Sequence, residues 1–121
     1  MEEMKVKIRE WILKINEEGL PEDIKALNFG LFEPYGIELI GSMSYDIEND
    51  DWACEEDYVP KERTCPSLSI PTSYTWNEVL IMMIKILKEL VQELDIPLFH
   101  VTYITTDFSD GDLEIIKEED K

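Results

Sequence analysis

Apolar residues recur at three- and four-residue intervals near the start of the chain. This spacing predicts an amphipathic helix over residues 2–17, which ends where Gly19 and Pro21 interrupt the pattern. The apolar stripe consists of Met4, Ile8, Trp11, Ile12 and Ile15. Because large apolar side chains on such a stripe are usually buried, we expect Trp11 to lie in the core.

A second helix is predicted over residues 76–94, before Pro97. Thr75 and Glu78 have the spacing of a capping box, in which each side chain pairs with the other residue's backbone at the helix start. Its apolar stripe consists of Trp76, Leu80, Met83, Leu87, Leu90 and Leu94. We expect this to be the central core helix, with Met82 and Met83 filling gaps in the core.

Two stretches are predicted to form antiparallel hairpins, the first from alternating apolar and polar positions and the second from β-branched and aromatic residues before a turn. Residues 27–45 alternate on both sides of a turn at residues 33–36, and residues 101–108 and 113–117 flank a turn at residues 109–112. In the first hairpin we expect one face to meet water and one to pack inward. The water-facing side would carry Glu38, Ile40, Ser42 and Ser44, and the inward side Ile37, Leu39, Gly41, Met43 and Tyr45. The predicted fold is a single α+β domain over residues 1–121, with an antiparallel sheet of about four strands packed against two helices.

The net charge of the chain narrows the kinds of partner that the predicted domain could bind. The chain has 28 acidic and 11 basic residues and a formal net charge of −17, which repels nucleic acids and anionic membranes and attracts basic proteins. The N-terminus lacks the apolar stretch of a signal peptide, and no apolar run approaches the ~18 residues of a membrane span. We therefore expect a cytoplasmic protein that binds neither nucleic acid nor membrane directly.

Motifs of catalysis or cofactor binding are not recognisable in the sequence. It has no glycine-rich phosphate loop and no zinc-ligand spacing, and its only histidine is His100. A cysteine nucleophile could be built only from Cys54 or Cys65 with His100, and the acidic surroundings would not lower a thiol pKa. We expect reduced thiols, no cofactor, no metal and no enzymatic activity.

The long connection at residues 46–71 holds an acidic segment, residues 45–58, with seven acidic residues, three aromatic residues and no basic residue. As a calcium loop starting at Asp46, it would place Asp51 where glycine is needed and Asp57 where glutamate is needed. It is either a solvated loop or a protein-binding surface, in which Trp52 anchors and carboxylates steer and pair. The predicted partner-binding residues are Asp46, Glu48, Asp50, Asp51, Trp52, Glu55, Glu56, Asp57 and Tyr58.

The acidic segment also supports a resemblance. A small acidic α+β domain with Tyr45-Asp46 and the run DDWACEEDYVP over residues 50–60 resembles the immunity proteins of bacterial polymorphic toxin systems, including contact-dependent growth inhibition. The resemblance implies a cytoplasmic protein that binds and neutralises a cognate toxin, often a nuclease. Nucleases are usually basic because they bind phosphates, so an acidic surface suits their cleft.

Three other interpretations stay open at this stage. Clustered carboxylates could bind a metal ion or serve a small enzyme. The acidic face could merely keep a structural or adaptor domain soluble while apolar surface joins subunits. An acidic protein could also mimic DNA against a DNA-binding protein, by the same electrostatic attraction.

Overall fold

The computed structural model describes residues 2–32, 35–43, 56–65, 70–71, 73–108 and 114–118. Within them lie two long helices, α1 (Glu2–Glu18) and α2 (Trp76–Glu93), and a short 3₁₀ helix, Pro97–His100. The strands are β1 (Ala26–Phe32), β2 (Gly36–Ser42), β3 (Tyr103–Phe108) and β4 (Glu114–Lys117). The predicted α+β class, both helices and both hairpins are confirmed.

The sheet is mixed rather than fully antiparallel. Its strand order is β2-β1-β3-β4, and the two hairpins are antiparallel, whereas β1 and β3 pair in parallel. The expectation of an antiparallel sheet was therefore wrong at the junction between the hairpins. A short turn forces two strands to run antiparallel, but the long connection that contains α2 allows β3 to run in either direction.

One face of the sheet packs against the helices. Trp11 of α1 is buried as predicted, and its ring meets Phe29 of β1 in a T-shaped contact with a centroid distance of 6.1 Å. The buried residues of α2 are Val79, Met83, Ile86, Leu87 and Leu90. Together with Leu27, Phe29 and Leu31 of β1 they belong to one continuous core.

Part of the opposite face of the sheet is also buried, contrary to the expectation for the first hairpin, whereas Glu38 on this face is half-buried and Ser44 lies outside the described residues. Ile40 and Ser42 of β2 are buried, as are Asn28 of β1 and Thr105 of β3. The polar groups satisfy each other: Thr105 Oγ1 donates to Asn28 Oδ1 at 2.9 Å, and Asn28 Nδ2 donates to Asp107 Oδ1 at 3.3 Å. The alternation of polar residues therefore predicted which residues share this face but not that some of them are buried. Polar groups that hydrogen-bond to each other can be buried at a modest cost in free energy.

The capping box at the start of α2 is present as predicted. The Thr75 hydroxyl accepts from the Glu78 backbone N–H at 3.2 Å, and the Glu78 carboxylate accepts from the Thr75 backbone N–H at 2.9 Å. Trp76 is therefore the first residue of the helix, and its ring contacts Phe108 at the end of β3. The first residue of α2 therefore lies beside the last residue of β3.

Candidate functional site

The segment over residues 56–65 lies along the outer edge of β2. Gly41 and Tyr58 exchange two backbone hydrogen bonds, of 2.9 and 3.0 Å. Further along the strand, the Leu39 N–H donates to the Arg63 carbonyl and the Cys65 N–H donates to the Ile37 carbonyl. The return arm of the long connection, which we define as residues 56–65, therefore occupies an edge that would otherwise expose unpaired backbone groups.

The acidic segment leaves and rejoins the fold at one place. Strand β2 ends at Ser42, and the backbone N–H of the next residue, Met43, donates to the Asp57 carboxylate at 2.8 Å. Met43 was expected on the inward face, but it is 48% exposed because the strand has already ended. Residues 44–55 are thus bracketed by two ends that a hydrogen bond and the Gly41–Tyr58 pairing hold together.

Six of the nine predicted partner-binding residues lie outside the described part of the chain. They are Asp46, Glu48, Asp50, Asp51, Trp52 and Glu55. The other three, Glu56, Asp57 and Tyr58, lie on the return arm, and each has an intramolecular contact. Their predicted contact with a partner stays a prediction.

Arg63 joins the return arm to the face of the sheet. Its guanidinium pairs with Glu56 and also with Glu38 of β2, where Nε lies 3.2 Å from Oε2. The hydrogen bond to Glu56 is the largest reason that the pKa of Arg63 is raised, and the Glu38 carboxylate raises it further against the opposing effect of burial. Glu56 therefore stabilises the return arm through its ion pair with Arg63, and Asp57 stabilises it through its hydrogen bond with Met43.

Tyr58 fastens the start of the return arm. Its side chain packs over Gly41, where an added Cβ would lie 3.2 Å from Tyr58 Cβ and 3.1 Å from Ile24 Cγ2. Burial raises the pKa of the Tyr58 phenol, and the negative charge of Glu18 raises it further. Within the described residues its buried hydroxyl oxygen has no hydrogen-bond partner. The glycine at position 41 therefore makes room for the tyrosine that holds the arm.

The far end of the return arm is tied to α1. The Trp11 indole Nε1–H donates to the Glu62 carbonyl at 2.6 Å, and the Lys61 backbone N–H donates to a Glu18 carboxylate oxygen at 3.2 Å. A buried indole needs such a polar partner. Trp11 thus has a second role beyond the predicted core packing, because it positions the arm that leads out of the acidic segment.

A group of aromatic side chains, which the sequence did not reveal, lies at the opposite end of β2. The aromatic end, as we call it, consists of Tyr35, Tyr74, Trp76 and Phe108. The Phe108 ring lies 6.2 Å from the Tyr35 ring and 6.2 Å from the Trp76 ring, both in T-shaped geometry. The Tyr35 hydroxyl donates to the Tyr74 carbonyl at 2.6 Å.

Trp76 corrects one expectation about α2. It was assigned to the buried stripe, but its side chain is 54% exposed. Because side chains tilt toward the helix N-terminus, a stripe residue in the first helical position overhangs the end of the core. The capping box already fixed Trp76 as that first position, so the sequence did contain the signal for its exposure.

Within the described part of the chain, the candidate chemistry stays sparse. No group of three or more His, Cys, Asp or Glu side chains could hold a metal ion there. Cys65 is buried, and burial raises the pKa of its thiol to about 11. His100 Nε2 lies 3.0 Å from an Asp95 carboxylate oxygen on the surface. A thiol with a raised pKa is a poor nucleophile at neutral pH. Cys54 lies outside the described residues.

Comparison of the chain with protein-family models, curated proteins and solved structures found no match. Neither described long helix combines the length and apolar character that crossing a membrane requires. The class that the structure defines is thus an α+β domain with a mixed four-stranded sheet.

Proposed function

We propose that this protein binds a basic protein partner and acts as an immunity protein that neutralises a cognate bacterial toxin. The acidic segment at residues 45–58 is the proposed contact surface, and its carboxylates pair with Lys or Arg side chains of the toxin. The excess negative charge would draw such a partner in quickly, which suits an inhibitor that must act before the toxin does.

The observation that carries the proposal is the way the two ends of the acidic segment are held. Met43 and Asp57 are joined by a hydrogen bond of 2.8 Å, and Tyr58 pairs with Gly41 beside them. A segment with fixed ends loses less conformational entropy on binding than a free tail does. Six acidic residues and Trp52 fall between Met43 and Asp57. This arrangement suits a presented surface better than a charged tail that only confers solubility.

The contacts of Glu56 and Asp57 determine which residues should be changed. Substituting either would disturb the arm itself, because Glu56 pairs with Arg63 and Asp57 accepts from Met43. The test variant therefore carries Asn or Gln at four of the five acidic residues within residues 44–55, namely Asp46, Asp50, Asp51 and Glu55. The control variant carries Gln at Glu3, Glu10, Glu17 and Glu22, which are exposed and lie on or just after α1. Both raise the net charge by four.

The experiment uses the toxin domain that the proposal expects the neighbouring reading frame to encode. Bacteria that express that domain should grow when the wild-type protein or the control variant is co-expressed, and should not grow with the segment variant. Stopped-flow association of the purified proteins should be slower for the segment variant at 50 mM salt. Equal rescue and equal association rates for the two variants would refute the acidic segment as the contact surface.

A further inference from the structure

The aromatic end is partly exposed to solvent, and Trp76 is its most exposed residue. The helix start depends on Thr75 and Glu78, and Trp76 takes no part in the capping box. One part of the Trp76 ring contacts Phe108, yet 54% of the residue's surface stays exposed. Tyr74 beside it is exposed too. Clustered exposed aromatic residues are typical of protein-binding surfaces.

The basic residues are distributed unevenly along the sequence, and none falls in the segments that contain the aromatic end. The segments over residues 26–60, 64–84 and 89–116 contain no lysine or arginine, and together they contain 17 acidic residues. Tyr35, Tyr74, Trp76 and Phe108 all fall within these three segments. The basic residues are placed elsewhere, at positions 5, 7, 9, 14, 25, 61, 63, 85, 88, 117 and 121. The net charge of −17 attracts cations to the protein, and the four aromatic residues fall in segments of the sequence that contain no lysine or arginine.

We propose that the aromatic end binds arginine or lysine side chains of a basic protein partner, with the cation stacked on the Trp76 ring. The negative face of an indole ring attracts a cation, and tryptophan is the strongest of the three aromatic residues in this respect. Arginine fits best, because its planar guanidinium is weakly hydrated and stacks on aromatic rings. This inference rests on the proposed function for the basic character of the partner.

The aromatic end is a second surface, separate from the acidic segment. Tyr35 precedes the first residue of β2, and Met43 follows its last residue. A strand of seven residues is on the order of 20 Å long, and this length separates Tyr35 from Met43, after which the acidic segment begins. An interface of ordinary size, about 800 Å² on each partner, can extend over that distance.

The test titrates the full-length protein with an octa-arginine peptide and follows the tryptophan indole N–H resonances. Single Trp→Phe variants assign the three indole signals. The Trp76 signal should shift on addition of peptide, and Trp76→Ala should weaken binding roughly two- to thirtyfold. Trp76→Phe, which keeps an aromatic ring, should weaken it less. Thermal unfolding of each variant verifies that it is folded.

Ile81→Ala is the matched control, because Ile81 is on the same helix and is 58% exposed. It should bind the peptide as the wild type does. Equal affinities for wild type, Trp76→Ala and Ile81→Ala would overturn the inference, and so would a failure of the wild type to bind. An octa-serine peptide serves as the uncharged control. If Trp76→Ala weakens the binding of this peptide as much as it weakens the binding of octa-arginine, the inference is also overturned, because the surface then does not select cations. A wild-type dimer that Trp76→Ala dissociates would assign the surface to a second copy of the chain.

The same titration separates this inference from the proposed function. The variant neutralised at Asp46, Asp50, Asp51 and Glu55 is included beside Trp76→Ala. If only the neutralised variant loses affinity, the aromatic end has no role and the acidic segment keeps its proposed one. If only Trp76→Ala loses affinity, the aromatic end is supported as the cation-binding surface, and the toxin rescue and association experiment decides the role of the acidic segment.

Discussion

Gly41→Ala should destabilise the protein, because the return arm packs directly against this glycine. A Cβ at position 41 would lie 3.1 Å from Ile24 Cγ2, 3.2 Å from Tyr58 Cβ and 3.3 Å from Tyr58 Cδ2. These approaches are tighter than ordinary carbon contacts, which lie near 3.5–4.0 Å. Ile24 is buried and Tyr58 is hydrogen-bonded to Gly41 through its backbone, so neither can move away freely.

The magnitude follows from two opposing effects. Overpacking of this kind costs about 1–3 kcal/mol. Replacement of glycine by alanine also restricts the unfolded chain, which returns about 0.4–1 kcal/mol. We therefore expect Gly41→Ala to lower the free energy of unfolding by about 1 kcal/mol. Gly30→Ala is the matched control on the neighbouring strand, because its added Cβ would meet only the side chain of Glu38, at 3.4 Å. The control should be neutral or slightly stabilising.

Urea denaturation followed by circular dichroism gives the two free energies of unfolding. Hydrogen exchange then shows where the loss falls: the Tyr58 amide, which donates to the Gly41 carbonyl, should exchange faster in Gly41→Ala than in Gly30→Ala. If the two variants are equally stable and their Tyr58 amides exchange at the same rate, the return arm is not held by its packing over Gly41.

Three further predictions concern other contacts of the fold. Trp11→Phe removes the hydrogen bond to the Glu62 carbonyl and leaves a gap in the core. It should therefore lower the free energy of unfolding by about 2 kcal/mol, measured by urea denaturation. An unchanged midpoint of the urea transition would contradict this prediction. Thr75→Ala removes half of the capping box and should cost about 1 kcal/mol, whereas Thr75→Ser should cost little. Burial raises the pKa of the Cys65 thiol to about 11, so little reactive thiolate is present at pH 8. In a Cys54→Ser background, Cys65 should therefore react with iodoacetamide on the order of a hundredfold more slowly in the folded protein than in urea. Equal rates in the two conditions would show an accessible thiolate.

The sequence predicted those parts of the fold that depend on local pattern. Helices α1 and α2 begin at the predicted residues and end one residue away from the prediction. The hairpins and the capping box are likewise read from adjacent residues. The parallel pairing of β1 with β3 was not predictable in this way, because it depends on how two separated hairpins meet.

The candidate surfaces were predictable only in part. The acidic segment stands out by composition, but the attachment of the return arm to β2 has no periodic signal, since this arm contains Pro60 and pairs with the strand at isolated positions. The aromatic end is assembled from three distant parts of the chain, so no single stretch reveals it. Trp76 is the exception, because the capping box already placed it in the first turn of α2, beyond the end of the core.

The salt dependence of the association rate with the neighbouring toxin domain bears most directly on the proposed contact surface. The wild-type protein and the control neutralised at Glu3, Glu10, Glu17 and Glu22 should both associate steeply faster as salt falls from 500 to 50 mM. The variant neutralised at Asp46, Asp50, Asp51 and Glu55 should show a much shallower dependence. If all three proteins show the same slope, only the net charge of the molecule attracts the partner, and the acidic segment is not where the partner binds.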